Sequence, residues 1–171
     1  MKAKKLLIFV PLLLLPLLTL LMHKTEPKHY KHYNIYVVYS PYCPHCHNLL
    51  KTLDELGIKA ITIDYREFPK TPYYKFVAKY FNGVPLVFAK TKNQLIIISG
   101  YPSEIQDNNG YYYGKEYEIE LCKKLGGKPV YINNSYYFCE INNTILGNRK
   151  AIEWLINICK SQGCENLTII K

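Results

Sequence analysis

Apolar and polar positions follow two different rhythms along this chain. From Leu6 to Met22 every residue is uncharged and nearly all are apolar, and polar sequence resumes at His23. From residue 34 onward the apolar positions instead come in short groups separated by turn residues. Ile35-Tyr36-Val37-Val38-Tyr39 is β-branched and aromatic throughout, which predicts a strand buried on both faces. Ser40 and Pro41 end it. Leu49, Leu50, Leu53 and Leu56 then fall on one side of a helix that Gly57 stops. Ile58 to Tyr65, with Ile at 61 and 63, predicts a second strand. Thr71-Pro72 has the form of a cap followed by a first-turn proline, and Tyr73, Phe76, Val77 and Tyr80 supply an apolar side up to Asn82-Gly83. Leu86–Ala89 and Leu95–Ser99 predict a hairpin across Thr91-Lys92-Asn93.

The first two strands, joined through a helix, must run parallel with a right-handed crossover. Near the end, Asn148 caps a predicted helix whose Ile152, Leu155, Ile156 and Cys159 recur at helical spacing, with Gly163 as its stop. The element order is therefore β-α-β-α-β-β-α, with residues 101–147 inserted before the last helix. The insert is rich in Tyr and Asn. It predicts a short helix running into Cys122-Lys123-Lys124-Leu125-Gly126-Gly127, then a hairpin of Val130–Ile132 and Tyr136–Ile141 turning at Asn133-Asn134. So short a stretch cannot hold itself by core burial alone, so we expect a small subdomain stapled by a disulfide.

The apolar run near the start changes the picture of where the chain resides. Lys2, Lys4 and Lys5 precede it, as in an export signal or signal anchor. As a helix it would rise about 26 Å, a little less than the hydrocarbon thickness of roughly 30 Å. No small-x-small cleavage site follows it, which favours an uncleaved anchor. Lysines before the run keep that end cytoplasmic and place the remainder outside. The expected organisation is a signal anchor or transmembrane segment over 1–23, a tether over 24–33, a globular domain over 34–164 and a tail over 165–171. Six cysteines, an even count, suit a compartment where disulfides persist. Sequons at Asn133, Asn142 and Asn166 point weakly the same way. The net charge of +9 is dispersed as lysines without a basic stripe, which excludes a nucleic-acid partner. Four cysteines lie outside the 43–46 pair and allow three pairings. The expected bridges are Cys122–Cys139 and Cys159–Cys164.

The chemistry concentrates in Tyr42-Cys43-Pro44-His45-Cys46-His47. Read literally, it fits a redox dithiol, half a zinc site, a haem attachment point or a structural disulfide. Haem needs an axial partner, often Met or His; the only methionines are Met1 and Met22, and the histidines outside the motif lie in or beside the tether. Zinc needs four ligands, and the nearest other cysteine is Cys122. No metal and no cofactor are expected. A pair this tight is a poor staple for a whole fold. A dithiol, by contrast, gains from this position: Cys43 falls at a helix N-terminus, where free N–H groups favour a negative sulfur. Cys46 lies one turn on, placed to resolve a mixed disulfide formed at Cys43. Pro44 suits the first helical turn, and His45 adds a donor beside the sulfur, so these two residues are the expected tuners of its acidity.

Cys43-Pro44-His45-Cys46 between a strand and a helix, followed by Gly83-Val84-Pro85 before a hairpin strand, resembles the thioredoxin/glutaredoxin superfamily. The Cys-Pro-His-Cys version is similar to extracytoplasmic thiol oxidases of the DsbA type. The resemblance covers residues 34–100 and extends over 148–161. It implies a thioredoxin-like α/β fold, a cis Val84–Pro85 bond opposite the dithiol, and a substrate groove formed by Tyr42, Val84 and Pro85. It also implies catalytic roles for Cys43 and Cys46. Two features depart from the family: Tyr42 stands where many thioredoxins have Trp, and strand 35–39 has no buried acid to relay a proton. The implied activity is dithiol–disulfide exchange on cysteine-containing exported proteins, as oxidase or isomerase. A membrane redox partner would reset the pair. The alternatives are a reductase of the same fold and a non-enzymatic substrate-binding or adaptor module with a structural CxxC.

Overall fold

Strand β1 (Lys31–Tyr39) forms the spine of the fold in the computed structural model, which describes residues 29–101 and 115–167. The predicted anchor over 1–23, the tether up to residue 28, insert residues 102–114 and residues 168–171 lie outside the described residues. Among the described residues no helix is long and apolar enough to cross a membrane. In β1, Ile35 and Val37 enter one core while Tyr36 and Val38 enter another, and all four are fully buried. Alternate side chains of a strand point to opposite faces, so an unbroken apolar run means both faces are covered.

Helix α1 (Pro44–Glu55) crosses from β1 to β2 (Ile58–Asp64), which pairs with β1 in parallel. Strand β3 (Leu86–Lys90) returns antiparallel to β1, and β4 (Leu95–Ser99) antiparallel to β3. β1 starts earlier than its hydrophobic pattern predicts: Lys31 pairs with Ile58 and His32 with Lys59. The last residues assigned to the tether, 31–33, are thus strand. Lys31 and His32 are held by backbone pairing with β2 whatever their side chains do, so hydropathy carries no signal for them.

The region after β2 is broken, not one helix. A 3₁₀ turn (Phe68–Lys70), helix α2 (Tyr74–Val77) and a second 3₁₀ turn (Ala78–Tyr80) follow one another. Thr71 does not cap forward; its hydroxyl donates back to the Phe68 carbonyl at 2.7 Å. Burial of the Phe68 ring against Tyr74, Phe81 and Phe88 sets the path, and tertiary packing overrides local helix preference.

The insert supplies α3 (Lys115–Lys124), β5 (Lys128–Ile132), β6 (Ser135–Ile141) and β7 (Thr144–Leu146). Its strands are not a subdomain apart, as expected from sequence, but continue the central sheet. The order is β2-β1-β3-β4-β7-β6-β5. The junction is the parallel pairing of Ile98 with Ile145 and Ser99 with Leu146. The turns that join β5 to β6 and β6 to β7 are Asn-Asn pairs with positive φ: 50° and 59° at Asn133 and Asn134, and 47° and 62° at Asn142 and Asn143. Asn tolerates this region better than other side-chain-bearing residues, and two consecutive such residues make the tight turn that matches strand twist.

Cys122 of α3 is bridged to Cys139 of β6, and Cys159 to Cys164, as expected. A Cβ on Gly127 would lie 2.5 Å from the Cys139 sulfur and 3.0 Å from that of Cys122, so the bridge requires glycine there. Helix α4 (Arg149–Gln162) is capped by Asn148, whose Oδ1 accepts from Ala151 N at 2.7 Å. The same side chain donates to Glu118 Oε2 at 2.7 Å and to the Tyr137 carbonyl at 3.0 Å, tying the cap to α3 and β6. α4 and α1 cover one face, with Leu49, Leu53, Ile152, Leu155 and Ile156 in a shared core. Beyond Gly163 the chain passes to the other face. Glu165 N donates to the Lys90 carbonyl at 2.7 Å, and Leu167 is buried with its N–H on the Tyr36 hydroxyl at 3.1 Å. The segment assigned to a tail therefore begins as part of the core.

Candidate active site

The site is built where β1 ends. The Cys43 N–H donates to the Ser40 carbonyl at 3.2 Å, closing the turn that stops the strand. Cys43 is the N-cap of α1, with Pro44 in the first turn, where its missing N–H costs nothing. The Cys43 sulfur accepts from the Cys46 N–H at 3.2 Å, as a capping oxygen would. It is half-buried, Cys46 is buried, and both are free thiols.

Across the site, the Val84–Pro85 peptide bond is cis, as the resemblance implies. The Cys43 thiol donates to the Val84 carbonyl at 3.6 Å. The two motifs, remote in sequence, thus meet at the sulfur. Pro85 is buried and Val84 half-buried. Tyr42 stands at 88 % exposure beside the dithiol. With Pro41, Pro44, His47 and Asn48 it lines a shallow open cleft; Cys43, Val84 and Pro85 are not part of that lining.

The two thiols are not equivalent. Burial, and then the hydrogen bond with Cys43, push the Cys46 thiol up to about 12. Loss of water around a thiol disfavours its charged form. Cys46 therefore stays protonated at neutral pH, and the half-buried Cys43 is the one a second sulfur can reach. The causes of that shift are burial, Cys43 and the backbones of Ser40 and Cys46; no carboxylate is among them. His47, which follows Cys46, is exposed, and its Nε2 donates to the Pro41 carbonyl at 2.7 Å.

His45 is held. Its Nδ1 lies 3.3 Å from the Tyr101 carbonyl, which can only accept, so that nitrogen carries the proton. Ser40 and Tyr101 are the site residues that sequence reasoning missed. Ser40 read only as a strand breaker. Tyr101 read as the first residue of the insert, and no motif marks it. Cys122, Cys139, Cys159 and Cys164 are not brought to the dithiol; each is closed in its own bridge. Among the described residues no group of three or more His, Cys, Asp or Glu is arranged to hold a metal ion.

The glutaredoxin family model matches residues 34–93, the stretch from β1 through the β3–β4 turn that contains both motifs. No curated protein and no solved structure matches the chain. Over those residues the chain is similar to the glutaredoxin family, whose fold is thioredoxin-like, and that likeness suggests thiol–disulfide redox activity.

Proposed function

We propose that this protein is a membrane-anchored thiol–disulfide oxidoreductase that acts on exported proteins through Cys43 and Cys46, as an oxidase or isomerase. The observation that carries the reading is the asymmetric thiol pair at the start of α1, with the outer sulfur against the residue before the cis-proline. Two further cysteine pairs closed as disulfides support a compartment outside the reducing cytosol. The lysine-flanked apolar run from Leu6 to Met22 supports anchoring.

In the oxidising direction, a client thiolate attacks the Cys43 sulfur of the Cys43–Cys46 disulfide. The S–S bond breaks, a mixed disulfide forms, and Cys46 leaves and takes up a proton. A second client thiolate then attacks the client sulfur of the mixed disulfide, forming the client disulfide and releasing Cys43. Two electrons and two protons pass from client to enzyme. Escape from an unproductive complex is attack by Cys46 on Cys43. Tyr42, Val84 and Pro85 form the rim that receives the client chain, and a membrane redox partner reoxidises the pair.

The test is a trap. Cys46→Ser, incubated with a peptide activated as a mixed disulfide, should accumulate an adduct joined at Cys43 and located there by peptide mapping. The oxidised wild type should convert a two-cysteine peptide to its disulfide. An absence of adduct at Cys43 would overturn the reading. A wild type that only reduces peptide disulfides would overturn the oxidase direction.

A further inference from the structure

The end of β4 touches both halves of the dithiol site. Gly100 N donates to the Pro85 carbonyl at 2.9 Å, and the next residue, Tyr101, presents its carbonyl to His45 Nδ1 at 3.3 Å. The Tyr101 side chain is fully buried, and its hydroxyl donates to Thr52 Oγ1 on α1 at 3.0 Å. Thr52 is itself 3 % exposed. One residue therefore grips the helix that begins at the dithiol while its backbone holds the histidine between the two cysteines. The insert braces this position from behind. Gly147 N donates to the Ser99 carbonyl at 3.1 Å, and a Cβ on Gly147 would fall 1.9 Å from the Gly100 carbonyl oxygen.

We infer that Tyr101 is a positioning residue for the redox chemistry: anchored through Thr52, it fixes the His45 imidazole and thereby favours the reduced dithiol over the disulfide. The inference rests on the thiol–disulfide reading above. A ring already held at one nitrogen loses little freedom when it orients toward charge developing on the Cys43 sulfur, and preorganised groups stabilise charge best. Whatever stabilises the reduced pair makes its disulfide a stronger oxidant. By this route the residue that opens the insert sets the poise of a site lying outside the insert.

The equilibrium to measure is enzyme disulfide plus two glutathione thiols giving enzyme dithiol plus glutathione disulfide. Tyr101→Phe should move it toward the enzyme disulfide by about three- to tenfold, the worth of one ordinary hydrogen bond. Thr52→Val, at the other end of the same bond, should reproduce the shift, whereas Thr52→Ser keeps the acceptor and should match the wild type. In a His45→Ala background, Tyr101→Phe should leave the equilibrium unchanged. A shift of equal size with and without His45, or no shift in folded Tyr101→Phe and Thr52→Val, would overturn the inference while leaving the dithiol reading intact. A wild type whose Cys43–Cys46 pair does not equilibrate with glutathione at all would overturn both.

Discussion

Cys43 and Cys46 are separated by two residues and remain free, whereas Cys122 and Cys139, seventeen positions apart, are joined and fully buried. Both pairs begin with a cysteine in or at the end of a helix, and of the four only Cys139 lies on a strand of the sheet. What differs is access. The Cys43 sulfur occupies a cap position at an open end of the sheet and is half-buried, with a neighbouring backbone carbonyl and a buried, protonated partner. The Cys122–Cys139 bridge is sealed under Gly127, where no side chain would fit. A thiol pair becomes reactive through one accessible and one buried member; it becomes structural when both are buried together.

The sharpest way to break this contrast is to remove one sulfur from each pair. Cys43→Ser should abolish exchange with peptide disulfides, a loss of about a thousandfold or more, while leaving the melting temperature nearly unchanged. Peptide turnover and thermal unfolding on the same sample check both halves. Retained turnover would place the nucleophile elsewhere.

Opening the bridges should have the opposite signature. Replacing Cys122 and Cys139 by Ala frees a loop of sequence separation 17, and chain-entropy arguments put the cost at about 3 kcal/mol. Replacing Cys159 and Cys164 opens a separation of only 5, for about 2 kcal/mol. Both variants should still form the Cys43 adduct. Urea unfolding ranks the two costs, and the reverse ranking would mean that native packing, not loop closure, dominates one of them.

These contrasts were unevenly legible in the sequence. The Cys43 cap, Pro44, Gly57, Asn148 and Gly163 could be read because each marks a helix end by local chemistry, and each stands in that role. The cis-proline could be read only through its resemblance to known families, because no local pattern says which proline faces a distant cysteine. The continuity of the sheet could not be read. It depends on a three-residue strand, Thr144–Leu146, and on Gly147 closing against Gly100, a contact between positions far apart in the chain. The second Asn-Asn turn, at Asn142-Asn143, is the same device as the first, but it precedes a strand too short to show alternation. Tyr101 was invisible because its site contact is made by a backbone carbonyl, which every residue carries.

The smallest expected effect separates the two kinds of cysteine by pH. In the unfolded chain the Cys46 thiol titrates near its ordinary value of 9.0, and in the fold burial and the Cys43 hydrogen bond push it up to about 12. Between those values the folded state holds a proton that the unfolded state has released. Stability therefore falls as pH rises through that window, and the contribution is fully present below it. The bridged cysteines carry no such proton. Other groups, lysines and tyrosines among them, titrate in the same range, so the informative quantity is a difference. Urea midpoints of the reduced chain and of reduced Cys46→Ala, measured from about pH 8 to about pH 11, should show the wild type losing ground relative to the variant. The oxidised wild type, with no Cys46 proton to lose, should follow the slope of the variant. Parallel curves for all three would mean that Cys46 ionises in the fold as readily as in water, and the asymmetry on which the dithiol chemistry depends would be gone.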